Sequence, residues 1–314
     1  MIGSNVNANV LLVLLGLALV RCGADTWHYP KPGPDGTVGQ PEHWGGNCDT
    51  GRRQSPIDVN YKAAVKGVYP KFVFVNYDQP MLNASLVNNG HTIQVNVNDV
   101  SASVYGGGLR SKYILEQFHF HWSSEHTVVD QRYALEVHMV HRNSKYSTLA
   151  EASAEKAGIA VLAVLFHVDE QPNEAIKTIL DVTASVKDKV DDYVRLTGNI
   201  LLDNFLPKDR TEYFRYEGSL TTPLCAEAVV WTVFPESLPV SLAQLEEFKT
   251  IRDGENEALV VNYRPVQPLN ARVLIWVADT ERTVDSGTVR VSSIHALTAI
   301  SSLLLSIVIG YFRL

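Results

Sequence analysis

Two stretches, QFHFHW at residues 117–122 and LEVHMVH at 135–141, decide how this chain is read. Both are dense in β-branched and aromatic residues and both alternate in polarity, the mark of strands and not of helices. Side chains two apart share a strand face. Gln117, His119 and His121 therefore point one way, and Phe118, Phe120 and Trp122 point the other, into apolar packing. In the second stretch Glu136, His138 and Val140 share a face, opposed by Val137, Met139 and His141. Five of the ten histidines fall between 119 and 141, yet only His138 can join His119 and His121, provided that the polar faces coincide.

Imidazoles on one face of adjacent strands, about 4.8 Å apart, can converge on one ion at about 2.0–2.1 Å from each nitrogen. Three such ligands leave the fourth position of tetrahedral zinc open to water, which is the arrangement of a catalytic and not a structural site. Copper also accepts imidazole, but three neutral histidines with an open position favour Zn2+. Gln117 beside His119 and Glu136 beside His138 offer acceptors that would fix the second nitrogen of each ring. Any one of these histidines alone would read as a hydrogen-bonded sheet residue; three together read as a metal site. The sequence has no HExxH helix, so a zinc-peptidase reading lacks its ligands and its base.

Outward from this pair, strands are expected at 71–77, 91–97, 113–122, 133–141, 158–168, 226–234 and 273–277, broken by turn clusters such as Asn88-Asn89-Gly90 and Gly106-Gly107-Gly108. Helical period shows at 173–190, where Ile176, Ile179, Leu180, Val186 and Val190 form an apolar stripe, and after Ser241, which makes a capping box with Gln244. The segment 25–54 is rich in Pro, Gly and aromatics without apolar period and should wrap the surface. No Gly/Ser linker, repeat or low-complexity run divides residues 25–286. The expected class is a single α+β, mainly β domain on a large twisted sheet with short flanking helices.

The apolar run Val10–Val20 is too short for a bilayer span of about 20 residues, and Gly23 and Ala24 follow it, so residues 1–24 read as a secretory signal. At the other end, 291–312 contains no Asp, Glu, Lys or Arg, and the small-residue run Asp285-Ser286-Gly287-Thr288 precedes it. This is the layout of a glycosylphosphatidylinositol (GPI) signal, with attachment at Ser286, or otherwise Asp285, and removal of 287–314; a single C-terminal transmembrane span is the alternative. Cys22 would leave with the signal, and the remaining Cys48 and Cys225 read as one disulfide in an oxidising compartment, or otherwise as two buried thiols. Asn83-Ala84-Ser85 is a candidate glycosylation sequon. With 46% apolar and 19% charged residues the composition is globular. With 27 basic residues against 34 acidic ones and no basic run, nucleic acid is not an expected partner.

Together with QSPID (54–58), NNGH (88–91), GSLTTPLC (218–225) and NYRPVQPLN (262–270), the two opening stretches resemble the α-class carbonic anhydrases. The resemblance runs from Trp27 to about Trp276, and the cysteine pair and apolar tail make the chain similar to the extracellular, membrane-anchored members. It implies a mostly antiparallel ten-stranded sheet, with Zn2+ held by His119, His121 and His138 at the base of a conical cavity. Thr221 would accept a hydrogen bond from zinc-bound hydroxide and pass its own proton toward Glu125, and His91 would shuttle the released proton to solvent. Thr222 would sit beside the substrate, while Val140, Val161, Leu220, Val229 and Trp231 would form the apolar wall for carbon dioxide. Asn262 and Arg264 would belong to a network beneath the site, with His126 and His141 structural. The implied activity is reversible hydration of carbon dioxide to bicarbonate and a proton on the outer face of the plasma membrane, in pH homeostasis, with bicarbonate transporters as partners. The rival reading is a non-catalytic, anhydrase-like surface module; such modules lose zinc ligands, whereas the three histidines and Thr221 are all present.

Overall fold

The computed structural model describes residues 27–33, 44–81, 83–98, 102–196 and 200–278; the signal, Ser286 and the C-terminal tail lie outside them. In chain order the strands are β1 (Asp58–Val59), β2 (Val65–Gly67), β3 (Val73–Val75), β4 (Ala84–Asn88), β5 (Ile93–Val97), β6 (Ser103–Tyr105), β7 (Tyr113–Trp122) and β8 (Thr127–Val128). They continue as β9 (Gln131–Arg132), β10 (Leu135–Asn143), β11 (Ile159–Asp169), β12 (Tyr193–Arg195), β13 (Tyr213–Gly218), β14 (Val229–Ser241) and β15 (Ile275–Val277). The helices are α1 (Asn47–Thr50), α2 (Leu149–Ser153), α3 (Glu174–Thr183) and α4 (Leu242–Phe248).

The long β-branched strands β7, β10, β11 and β14 are neighbours at the centre of a large sheet ordered β12-β4-β5-β7-β10-β11-β14-β13-β15-β2. These are ten strands in one path, as expected, but the sheet has twelve, because β3 and β6 pair beside β7. Within this sheet pairing is antiparallel except at β11–β14 and β15–β2. The mainly-β class holds, with β1, β8 and β9 forming a small separate sheet.

Alternation gives the sheet two apolar layers. Phe118, Phe120, Trp122, Val137 and Met139 pack on one face with Ile176, Ile179 and Phe248 of α3 and α4. Val140, Val161, Ala163, Trp231, Val233, Phe214 and Tyr216 pack on the other. Burying large side chains on both faces, at about 25 cal/mol per Å² of apolar surface, is the main force holding the central strands in register.

Several expectations need correction. The helix expected over 173–190 ends at Thr183; Asn173 caps it through Ala175 and Ile176. Beyond that point Thr183 Oγ1 turns back to Ile179 O and Ser185 Oγ to Val182 O, so hydroxyls compete with helix propagation. The capping box of Ser241 and Gln244 forms and starts α4. The 25–54 segment is not wholly irregular, since α1 lies within it. Gly218 ends β13 where a Cβ would come within 2.2 Å of Ser55 Oγ, so only glycine allows the 54–58 segment to lie against this strand.

Candidate active site

Register settles how the two decisive strands meet. In the β7–β10 ladder His138 lies opposite His119 and Glu136 opposite His121, so the polar faces coincide. The ring centroids are 5.0 Å apart for His119 and His121, 5.3 Å for His119 and His138, and 4.6 Å for His121 and His138. One nitrogen from each ring lies within 4.8 Å of the other two.

The opposite nitrogen of each ring is occupied. His119 Nδ1 bonds Gln117 Oε1 at 2.8 Å, His138 Nε2 bonds Glu136 Oε1 at 2.7 Å, and His121 Nδ1 bonds the main-chain carbonyl of Asn262 at 2.7 Å. His119 Nε2, His121 Nε2 and His138 Nδ1 are thereby turned toward one another. Burial first, and then the neighbouring imidazoles, hold the pKa of His119 well below its usual value; burial lowers that of His121 too. Neutral rings with aligned lone pairs are what a divalent ion requires.

The donor set fits zinc on a further observation. His121 Nε2 and Glu125 Oε2 are both buried without a hydrogen-bond partner, and they lie 3.5 Å apart. Orphaned buried polar atoms are costly, and two beside one histidine cluster fit a place that a divalent ion would complete. A second group, His126, Glu136 and His138, also has metal-like spacing, but its atoms satisfy one another: His126 Nδ1 lies 2.6 Å from Glu136 Oε1.

Glu136 anchors the floor of the site. Its Oε1 takes His126 and His138, and its Oε2 accepts the backbone N–H groups of Glu125 and His126 at 2.7 and 2.8 Å. Burial opposes its ionisation, yet the two histidines and their hydrogen bonds hold its pKa well below the usual carboxylate range. Glu125 is fixed at Oε1 by the backbone N–H of Arg264 at 2.8 Å. Arg264 in turn donates to Gln54 Oε1 and to the carbonyls of Ser55 and Cys48.

Above this floor is a cavity of about 300 Å³ lined by Gln117, His119, His138 and both Thr221 and Thr222, with an apolar wall that includes Val140, Val161, Leu220 and Trp231. Residues 39–277 match the eukaryotic-type carbonic anhydrase family. The chain belongs to that family. It is 34% identical over 246 residues to the Caenorhabditis elegans protein named "Putative carbonic anhydrase 3", covering 76% of this chain and 93% of that protein. It is 32% identical over 308 residues to carbonic anhydrase 15 of Mus musculus, covering 90% and 92%. The chain is therefore a carbonic anhydrase, an enzyme of the family that hydrates carbon dioxide with zinc.

In this carbonic anhydrase not every expected residue reaches the cavity. Val229 is buried with Val140, Val161 and Trp231 but behind the lining. His91 lies apart: its ring stacks on Trp27 with centroids 3.7 Å apart, and it lines a different hollow with His28, Tyr29 and Asp253. Burial, and secondarily the charge of His28, lower its pKa from 6.5 to about 4. Among the described residues Glu125 Oε2 has no hydrogen bond from Thr221.

Cys48 and Cys225 form the disulfide. It ties α1 to the turn that follows Thr221 and Thr222, where Cys225 N bonds Thr222 O at 2.9 Å and Leu224 and Cys225 adopt positive φ of 62° and 44°. His126 bridges Glu136 and the Tyr216 hydroxyl. His141 faces away from the histidine triad, toward Tyr77 and Ala160 O.

Sequence reasoning missed two contributors. The carbonyl of Asn262 orients His121, and a backbone group leaves no residue-type signature. Leu149, Ala150 and Ser153 of α2 and its edge line the cavity mouth, on a helix too short to show a period.

Proposed function

We propose that this carbonic anhydrase performs reversible carbon dioxide hydration at the outer face of the plasma membrane, with His119, His121 and His138 as the Zn2+ ligands. What carries the reading is three imidazoles that each have one nitrogen hydrogen-bonded and the other turned toward a common point. When bound there, zinc brings the pKa of water into the neutral range, a property for which carbonic anhydrase is itself the standard case, and so supplies a nucleophile.

The chain's own residues do the rest. Gln117, Glu136 and the Asn262 carbonyl lock ring orientation and tautomer. Glu125, pinned by Arg264, keeps Oε2 available to accept the Thr221 hydroxyl proton; Thr221 then offers only a lone pair to the attacking group, which selects its orientation. Carbon dioxide is apolar and linear, so it rests against Val140, Val161, Leu220 and Trp231, with Thr222 at its edge and Val229 supporting the wall. His91 carries the released proton outward. Held on Trp27 it is neutral at physiological pH, so the transfer needs the ring to leave the stack for water, where its pKa returns to about 6.5.

The Cys48–Cys225 disulfide supports an oxidising, extracellular setting. Asn83 is exposed, as a glycan acceptor must be. A GPI anchor at Ser286 and proximity to bicarbonate transporters complete the proposal. No described helix is long and apolar enough to cross a membrane. Release from intact cells by a phosphatidylinositol-specific phospholipase is the expected outcome, and retention would favour a C-terminal span instead.

The decisive test pairs metal analysis with stopped-flow carbon dioxide hydration of His138→Ala. Loss of both is expected, and full activity in that variant would refute the ligand assignment.

A further inference from the structure

The face of the sheet opposite the histidine triad holds a second cavity, of about 660 Å³. Along β13, alternation sends Phe214 and Tyr216 to the triad's face, where they pair with Val233 and Trp231, and sends Arg215 and Glu217 to the other. The cavity walls carry Arg53, Arg110, Lys156, Arg215 and Arg272 but a single carboxylate, Glu217. That carboxylate is shared: it lies 3.5 Å from Arg53, 3.7 Å from Arg110 and 3.0 Å from Lys156. Glu227 adds a contact to Arg53 at 3.3 Å. Five cations against two carboxylates leave a surplus of three positive charges.

Arg215 and Arg272 have no carboxylate partner among the described residues. Arg272 donates only to the carbonyls of Leu269, Glu217 and Pro268. Arg215 is the stronger anomaly. It is 5% exposed, its Nη2 donates to Thr232 Oγ1 at 2.9 Å, and its Nε–H has no acceptor. A guanidinium remains charged at any physiological pH, and this one lies over the ring faces of Phe72 and Tyr213, at 5.7 and 5.5 Å, with no carboxylate to neutralise it.

We propose that this cavity binds a phosphomonoester, seated on the guanidinium groups of Arg215 and Arg272 and closed over by Lys156 and Arg110. The planar fork of arginine matches a tetrahedral oxyanion through paired N–H donors. The charge surplus suits a dianion better than the singly charged bicarbonate. A hollow of this volume falls in the range of small-molecule sites, larger than a lone ion needs. The phosphate could be carried by a soluble ester or by a lipid headgroup, and the two differ in how they reach the site.

Isothermal titration of the zinc-loaded enzyme with inorganic phosphate tests the shared chemistry, and sedimentation with phosphatidylcholine vesicles containing phosphatidate tests the lipid source. Binding of phosphate at millimolar concentration or below is expected, weakened about tenfold or more by Arg215→Met and by Arg272→Gln, the loss of one charge-assisted contact or more. Arg215→Met removes a buried charge that has no carboxylate partner, at similar volume, so its thermal melt should stay cooperative; Arg272→Gln, at the more open rim, gives a second reading. His119→Ala should keep phosphate binding, which separates this cavity from anion capture at the metal. Arg215-dependent sedimentation assigns a lipid headgroup, whereas phosphate binding without sedimentation assigns a soluble ester. The proposal fails if the wild type gives no heat at millimolar phosphate, if neither arginine substitution weakens binding, or if His119→Ala abolishes it.

Discussion

His119, His121 and His138 sit on β7 and β10, whose mutual ladder aligns all three, with His119 and His138 also paired on their other sides, whereas His91 follows the Asn88-Asn89-Gly90 turn and is held by a ring stack on Trp27. In the first region position follows from parity and register, and every ring has one nitrogen fixed by a short hydrogen bond. In the second, Asn89 Oδ1 shapes the turn by accepting from His91 N and Thr92 N at 3.0 and 2.9 Å, and the ring itself rests on a segment with no regular structure. A sheet can thus hold ligands immobile for an ion, while a loop can hold a group that must move.

The sharpest way to break this contrast is to remove one residue from each region. His119→Ala should lose zinc on metal analysis and bring stopped-flow hydration down to the uncatalysed background. His91→Ala should keep its zinc and lose turnover only where proton export limits it, with the rate recovered as a small diffusible buffer is raised; removal of a positioned acid–base group typically costs about 10²-fold or more. Equal zinc loss in the two variants would erase the distinction between the two regions.

Glu136→Gln probes the strand region one layer down. The amide keeps the shape but accepts poorly from four donors at once. Metal affinity should fall by about 10- to 100-fold, as measured by competition with a chelator, with the protein still folded. An unchanged affinity would mean that the ladder alone, without the carboxylate, orients His138.

The same difference governs what could be read from the sequence. The grouping of His119, His121 and His138 with Gln117 and Glu136 was legible because side-chain chemistry and a period of two coincide on long strands. The Asn262 carbonyl was not, since any residue has one. Strand β4 and helix α2 are five residues each and show no decisive period. Arg215 lies on β13, a strand not expected from the sequence, and is buried by distant segments wrapping over that face, a covering no local pattern records. His91 was expected at the head of a strand over 91–97, but β5 begins only at Ile93; nor could the sequence place its ring on Trp27, because a contact between residues 64 positions apart depends on how the N-terminal segment lies across the surface.

Joining that N-terminal region to the site by another route, the disulfide closes a separation of 177 residues between α1 and the turn after Thr222. Replacing both cysteines by serine should cost up to about 4–5 kcal/mol of stability in the chain-entropy treatment, read from urea unfolding. If the bond also braces the Thr221 turn, hydration should fall in the folded variant while zinc content stays constant.

The smallest expected effect is on acid stability. His91 titrates from 6.5 down to about 4 on folding, chiefly through burial. Between those values the unfolded chain carries a proton that the folded protein does not, so stability rises with pH across the window. It is fully present above about pH 6.5 and lost as pH falls through about 4. A shift of this size is worth at most about 3 kcal/mol, and less for a ring still partly in contact with water. His91→Phe retains the stack on Trp27 and removes the proton, so the drop in unfolding free energy between pH 7 and pH 4.5 should shrink. His141, whose pKa is also lowered to about 4 by burial behind the sheet, stays in the variant and preserves part of the slope. Trp27→Ala should act in the same direction by freeing the ring, with the His91 imidazole resonance titrating near 6.5 in NMR. If that resonance still titrates near 4 without Trp27, the stack is not what keeps His91 neutral, and the mobile role assigned to it loses its physical basis.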